Sequence, residues 1–87
     1  MNELLEHRIK RMKMRSMRRG IKEMDLILPA YADSHLAQMS EAELSIYDAL
    51  LSENDHDLYQ WVTGQVAPPE QFAATIAQIA TTLNKLD

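Results

Sequence analysis

The stretch Ser40-Glu41-Ala42-Glu43-Leu44-Ser45-Ile46-Tyr47-Asp48-Ala49-Leu50-Leu51 decides the fold class. Ser40 followed three residues later by Glu43 is a capping box, in which the hydroxyl accepts the N3 amide and the glutamate reaches back to the serine amide. Leu44, Tyr47, Leu50 and Leu51 then recur at the three-to-four-residue spacing that gathers side chains on one face of an α-helix. Start signal and apolar stripe agree, and nowhere does the chain sustain the two-residue alternation of a strand.

Working outward toward the C-terminus, Asn54 and Asp55 supply the cap of a short fourth helix carrying Leu58, Trp61 and Val62, which Gly64 ends. Pro69 suits the first turn of a fifth helix, whose stripe is Phe72, Ile76, Ile79, Ala80 and Leu83. Toward the N-terminus, a second helix is predicted from about Ile21 to Asp33, with Ile21, Met24, Leu28 and Tyr31 inward and a kink or break at Pro29. The first helix is predicted to start near the N-cap residue Asn2, with Glu3 and Glu6 in its first turn and Leu5, Ile9, Met12 and Ser16 along one stripe. Arg18 and Arg19 then fall in its last turn, and Gly20 is placed to turn left-handed and stop it. The short connections imply antiparallel neighbours. The expected architecture is all-α, a compact five-helix bundle forming a single domain over residues 1–87.

With 87 residues and no cysteine, there is room for one modest core, and disulfides and thiolate chemistry are excluded. No apolar run approaches the ~20 residues of a membrane span. The start is Arg-rich, but Glu3 and Glu6 argue against a mitochondrial presequence, so the expected location is the cytoplasm. Charge is strongly segregated. Residues 1–22 hold eight of the nine basic side chains and two acids, whereas residues 23–87 hold eleven acids against Lys85. Such a distribution points to an anionic partner, whether nucleic acid, phosphate or an acidic protein face.

Catalytic constellations are missing. His7, His35 and His56 stand far apart, with no HxxxH or HExxH pair; there is no GxSxG elbow, and two glycines cannot build a phosphate loop. The chain is therefore read as a non-enzyme with no metal site. Asp55 and Asp57 beside His56 read as helix capping with dipole-placed acids. Tyr59 and Trp61 read as core at helical spacing. Met12 and Met24 also read as core, while Met14 and Met17 fit either core or a partly exposed interface.

The junction Arg18-Arg19-Gly20-Ile21-Lys22-Glu23 then stands out. As plain helix grammar it is a corner, which accounts for Gly20 and Glu23 but not for the five further cations, Arg8, Lys10, Arg11, Lys13 and Arg15, placed on one helix against their mutual repulsion. As a docking surface, it offers close approach at Gly20, planar guanidinium forks at Arg18 and Arg19, and an acceptor at Glu23.

These residues resemble the FAD assembly factor, or flavinylation factor, family of succinate dehydrogenase. Its Arg-Gly-x-x-Glu signature is matched by Arg19-Gly20-Ile21-Lys22-Glu23, continued by Met24-Asp25-Leu26. Met39–Leu44, Tyr47–Leu51 and Asp55-His56-Asp57-Leu58-Tyr59-Gln60-Trp61 also match, in order, over roughly residues 11–83. His56 stands where the family usually has proline. The resemblance implies a five-helix fold and an assembly chaperone that docks on the succinate dehydrogenase flavoprotein subunit, in some bacteria also that of fumarate reductase, and promotes covalent attachment of FAD to a histidine. It implies no stably bound cofactor of its own, since the FAD acted on is the partner's. Arg19, Gly20 and Glu23 carry over as the signature residues, and with Arg15, Arg18, Met24 and Asp25 they form the expected partner-binding set. The rival reading is a basic-helix nucleic-acid-binding module or an antitoxin-like regulator. The acidic remainder of the chain and the lack of a helix-turn-helix signal argue against nucleic acid.

Overall fold

The capping box at Ser40 forms as the sequence dictates, with Glu43 N–H donating to Ser40 Oγ at 3.2 Å and Ser40 N–H to Glu43 Oε1 at 2.9 Å. Those bonds, the backbone one foremost, hold the Glu43 carboxyl below its ordinary range. The computed structural model describes residues 4–86. Among them are five α-helices: α1 (Leu5–Arg15), α2 (Lys22–His35), α3 (Glu41–Leu50), α4 (Asp55–Val62) and α5 (Ala73–Lys85). Single 3₁₀ turns, Leu36–Gln38 and Glu70–Phe72, follow α2 and lead into α5. The described residues contain no strand, and no helix among them is long and apolar enough to cross a membrane.

The core is one cluster drawn from every helix, including Met12, Met24, Leu28, Tyr31, Leu44, Tyr47, Leu50, Leu58, Phe72, Ile76 and Ile79. α2 is its centre, packing against α1, α4 and α5. It buries Met24, Ile27, Leu28, Tyr31 and Ala32, and that burial spans Pro29. Here the expected break does not occur: α2 continues for six residues past Pro29 to His35. Proline forfeits its amide bond to the preceding turn, but Ile27 and Leu28 before it and Tyr31 and Ala32 after it are anchored in the same core. Lys13 pairs with Asp33 at 3.7 Å, and Tyr31 Oη donates to Gln78 Oε1 at 2.8 Å, which ties α2 to α1 on one side and to α5 on the other.

Several boundaries shift. α1 ends at Arg15, so Arg18 and Arg19 follow the helix rather than completing it. The expected cap at Asn2 lies outside the described residues. Leu5, on the expected apolar stripe, is exposed, while Met12 and Ser16 are fully buried. Pro69 caps the 3₁₀ turn instead of sitting inside α5. Asn54 alone caps α4, accepting the His56 amide at 2.8 Å, which leaves Asp55 for other work. Gly64 does end α4, at φ 82°. Met12 and Met24 are core and Met14 and Met17 are exposed; Tyr59 and Trp61 pack half-buried against the core.

Among the described residues, Ser16 is the one buried residue outside the hydrophobic core set. Its hydroxyl bonds the Met12 carbonyl at 2.8 Å and the Tyr47 hydroxyl at 2.6 Å. Burial pushes the Tyr47 phenol up to about 12, although the Ser16 hydroxyl and nearby Arg19 and Arg15 favour its anion. Tyr31 shifts the same way, chiefly through burial. Both folded and unfolded chains hold these protons below pH 10. Above it the unfolded chain releases them first, so stability is lost as pH rises from 10 toward 12. The Tyr47 share amounts to roughly 3 kcal/mol once the phenol is ionised in both states. Melting curves across this window are expected to show a falling midpoint. Tyr47→Phe should have a shallower fall, starting about 1 kcal/mol lower at neutral pH for the lost Ser16 bond.

Candidate functional site

The cations of α1 are mostly matched within the fold. Arg8 Nη2 donates to Ser45 Oγ at 2.8 Å, Arg11 pairs with Asp48 at 3.4 Å, and Arg15 bonds the Asp48 carboxylate and Ser52 Oγ. Arg8, Arg11 and Arg15 and their partners Ser45, Asp48 and Ser52 are offset by a constant 37 residues, so α1 lies parallel to α3 with long guanidinium arms bridging the gap. Clustered arginines on one helix thus face a matching row of acceptors, which offsets their mutual repulsion. These links are largely exposed, and each contributes about 0–1 kcal/mol.

Arg19 is different. Its side chain is 12% exposed and that of its partner Asp55 14%. Asp55 Oδ1 accepts Arg19 Nε and lies 2.8 Å from Nη2 as well, and Asp55 Oδ2 accepts the Gly20 amide. The guanidinium also donates to Arg15 O at 3.0 Å and Leu51 O at 3.1 Å. One cation therefore satisfies orphan carbonyls at the C-terminal ends of α1 and α3, where positive charge is favoured, while its counter-ion sits in the first turn of α4, where negative charge is favoured. The Arg19 amide is held by the Asp25 carboxylate of α2. Four helices meet in this clasp.

The clasp also explains the glycine, by a route other than the expected one. Gly20 does not adopt positive φ; Arg18 does, at 56°. The left-handed turn comes two residues early because Asp25 and Asp55 capture the amides of Arg19 and Gly20. Holding a non-glycine residue there costs roughly 1 kcal/mol. What excludes a side chain at Gly20 is crowding, since a Cβ would stand 3.3 Å from Asp55 Oδ2.

Of the expected partner-binding set, Arg18, Gly20 and Glu23 lie on the exposed surface. Met24 is fully buried, supporting the edge from beneath; Arg15, Arg19 and Asp25 are half-buried and engaged internally. Glu23, in the first turn of α2, is followed one turn on by Leu26, which is 62% exposed beside Leu83 of α5 and Leu86 just past its end. An acceptor and an apolar side chain thus share one open face. Sequence reasoning missed Asp55, taken for a cap, and Asp48. The only available signal was that Ser45, Asp48 and Ser52 repeat the spacing of Arg8, Arg11 and Arg15. No group of side chains that would hold a metal ion occurs among the described residues.

Fold and junction together define a small all-helical domain, its exposed Gly20–Glu23 edge fixed from behind by an ion pair. The profile of a family described as the flavinator of succinate dehydrogenase matches residues 10–83. The chain belongs to this family. Similar relatives include the mitochondrial succinate dehydrogenase assembly factor 2 of Candida glabrata, 47% identical over 62 residues covering 71% of this chain and 40% of that protein. The protein of the same name from Drosophila grimshawi is 38% identical over 80 residues, covering 90% of this chain and 54% of that protein. The chain spans about half or less of the length of these relatives.

Proposed function

We propose that the chain is an assembly chaperone that docks on the flavoprotein subunit of succinate dehydrogenase and promotes covalent attachment of FAD to one of its histidines. The observation that carries this reading is the family match over residues 10–83, which contains the whole clasp and the Gly20–Glu23 edge. The help is physical. A docked domain orders the flavoprotein around its FAD and holds the histidine against the flavin ring, and orientation of this kind contributes several kcal/mol to a reaction the flavin performs itself. Gly20 allows close approach, Glu23 accepts hydrogen bonds from the partner, and Arg19 acts by keeping both in place. FAD stays with the partner, and this chain holds no cofactor of its own.

The flavoprotein of fumarate reductase is a second client in this reading, and the cytoplasm the place of action. The nucleic-acid alternative loses its main support, because the arginines that suggested it are largely spent on α3 and α4. The test is covalent flavin fluorescence of the flavoprotein subunits, resolved in a denaturing gel, from cells with and without this chain. Fluorescence should fall severalfold without it and return on re-expression. Equal fluorescence in both would refute the proposal.

A further inference from the structure

With Arg8, Arg11, Arg15 and Arg19 turned toward α3 and α4, α1 leaves another face uncovered. Lys10 and Met14 lie one turn apart on it, and Met17 and Arg18 continue it past the helix end. Met14 is 65% and Met17 51% exposed, and both border a depression with Arg18. From Met17 and Arg18 the surface dips into a groove of about 400 Å³ between α1 and α2, floored by Pro29 and Ala32. Of the acids on its wall, Asp25 holds the Arg19 amide and Asp33, itself largely exposed, stands 3.7 Å from Lys13. Lys10 and Arg18 are thus left as cations beside exposed methionines. Arg18 is also the residue held at positive φ, a strained position maintained at an edge where its side chain does nothing visible for the fold.

The geometry points to this face as a second contact surface, one that receives an acidic segment of the flavoprotein carrying apolar anchors. This rests on the reading above. Methionine is flexible and polarizable, suited to an apolar anchor of variable shape. Lys10 and Arg18 flank it and complement carboxylates on either side. The surface lies next to Gly20, so it extends the docking edge along α1.

The test uses Arg18→Gly, Lys10→Ala and the pair Met14→Ser/Met17→Ser, measuring the dissociation constant for purified apo-flavoprotein by calorimetry at low and moderate salt. Arg18→Gly separates binding from folding, because glycine accepts positive φ: this variant should melt no lower than wild type and still bind tenfold or more weakly. Arg18→Gly and Lys10→Ala should each flatten the salt dependence, and the methionine pair should weaken binding about as much without flattening it. Wild-type affinity in all of them, with wild type still promoting flavinylation, overturns this surface and leaves the function standing. A wild type that neither binds the flavoprotein nor promotes flavinylation overturns both. Binding of duplex DNA instead, lost in the Arg18 and Lys10 variants, overturns the partner class.

Discussion

Asp55→Asn should lower the melting midpoint by roughly 10–20 °C, the expected reading of a loss of about 3 kcal/mol in a domain this small. Asp55 serves two sets of donors, with Oδ1 facing the Arg19 guanidinium and Oδ2 accepting the Gly20 amide. An asparagine has one acceptor oxygen, so its NH₂ must point at one donor or the other. Either the guanidinium, 12% exposed, loses its counter-ion, or a backbone amide goes unsatisfied. A chain of this length has about 4–13 kcal/mol of stability in all. By contrast, Asp48→Ala should cost less than about 1 kcal/mol, since its bridges lie at the surface. Arg19→Lys should fall between, keeping the charge while losing the fork that reaches Arg15 O and Leu51 O together. Thermal denaturation of the three variants orders them, and similar midpoints for Asp55→Asn and Asp48→Ala would refute the clasp.

That ordering could not be anticipated from the chain alone, for reasons that lie in particular residues. Ser40, Asn54 and Gly64 announce helix ends through bonds to residues two or three away, and those ends are where local grammar puts them. The stripes of α3 and α5 report burial because a helix facing one core must repeat every three to four residues. Pro29 is also a local signal, but core contacts on both sides of it override the local cost. The Arg19–Asp55 pair spans 36 residues and leaves no periodic trace. Gly20 illustrates the difference: glycine after a helix ordinarily marks a left-handed turn, yet here Asp25 and Asp55 move that turn to Arg18. The family resemblance pointed to the Arg-Gly-x-x-Glu signature but was silent on which members face inward. Only the fold separates Arg19, which holds the edge, from Glu23, which is presented on it.

The second large effect follows from that separation. Glu23→Ala should reduce promotion of flavinylation tenfold or more while changing stability by no more than about 0.5 kcal/mol, because Glu23 is exposed and its fold contribution is limited to the α2 dipole. Gly20→Ala should damage both properties. Its new Cβ presses at 3.3 Å on a carboxylate already pinned by Arg19, and it thickens the edge where a partner must approach. Leu26→Ser, one turn beyond Glu23, should weaken docking without lowering the melting midpoint, since that leucine buries little in the free protein.

The proposed docking assigns Glu23 to the partner, and Arg19 and Asp55 to the fold. The measurement that bears on it most directly is the rate of covalent flavin attachment to purified apo-flavoprotein supplied with FAD. It is followed by gel fluorescence at a temperature where every variant is folded by circular dichroism. The expected result is a rate near the unassisted one for Glu23→Ala, and a substantial part of the wild-type rate for Arg19→Lys. A Glu23→Ala chain that accelerates attachment as well as wild type would show that Glu23 has no part in docking.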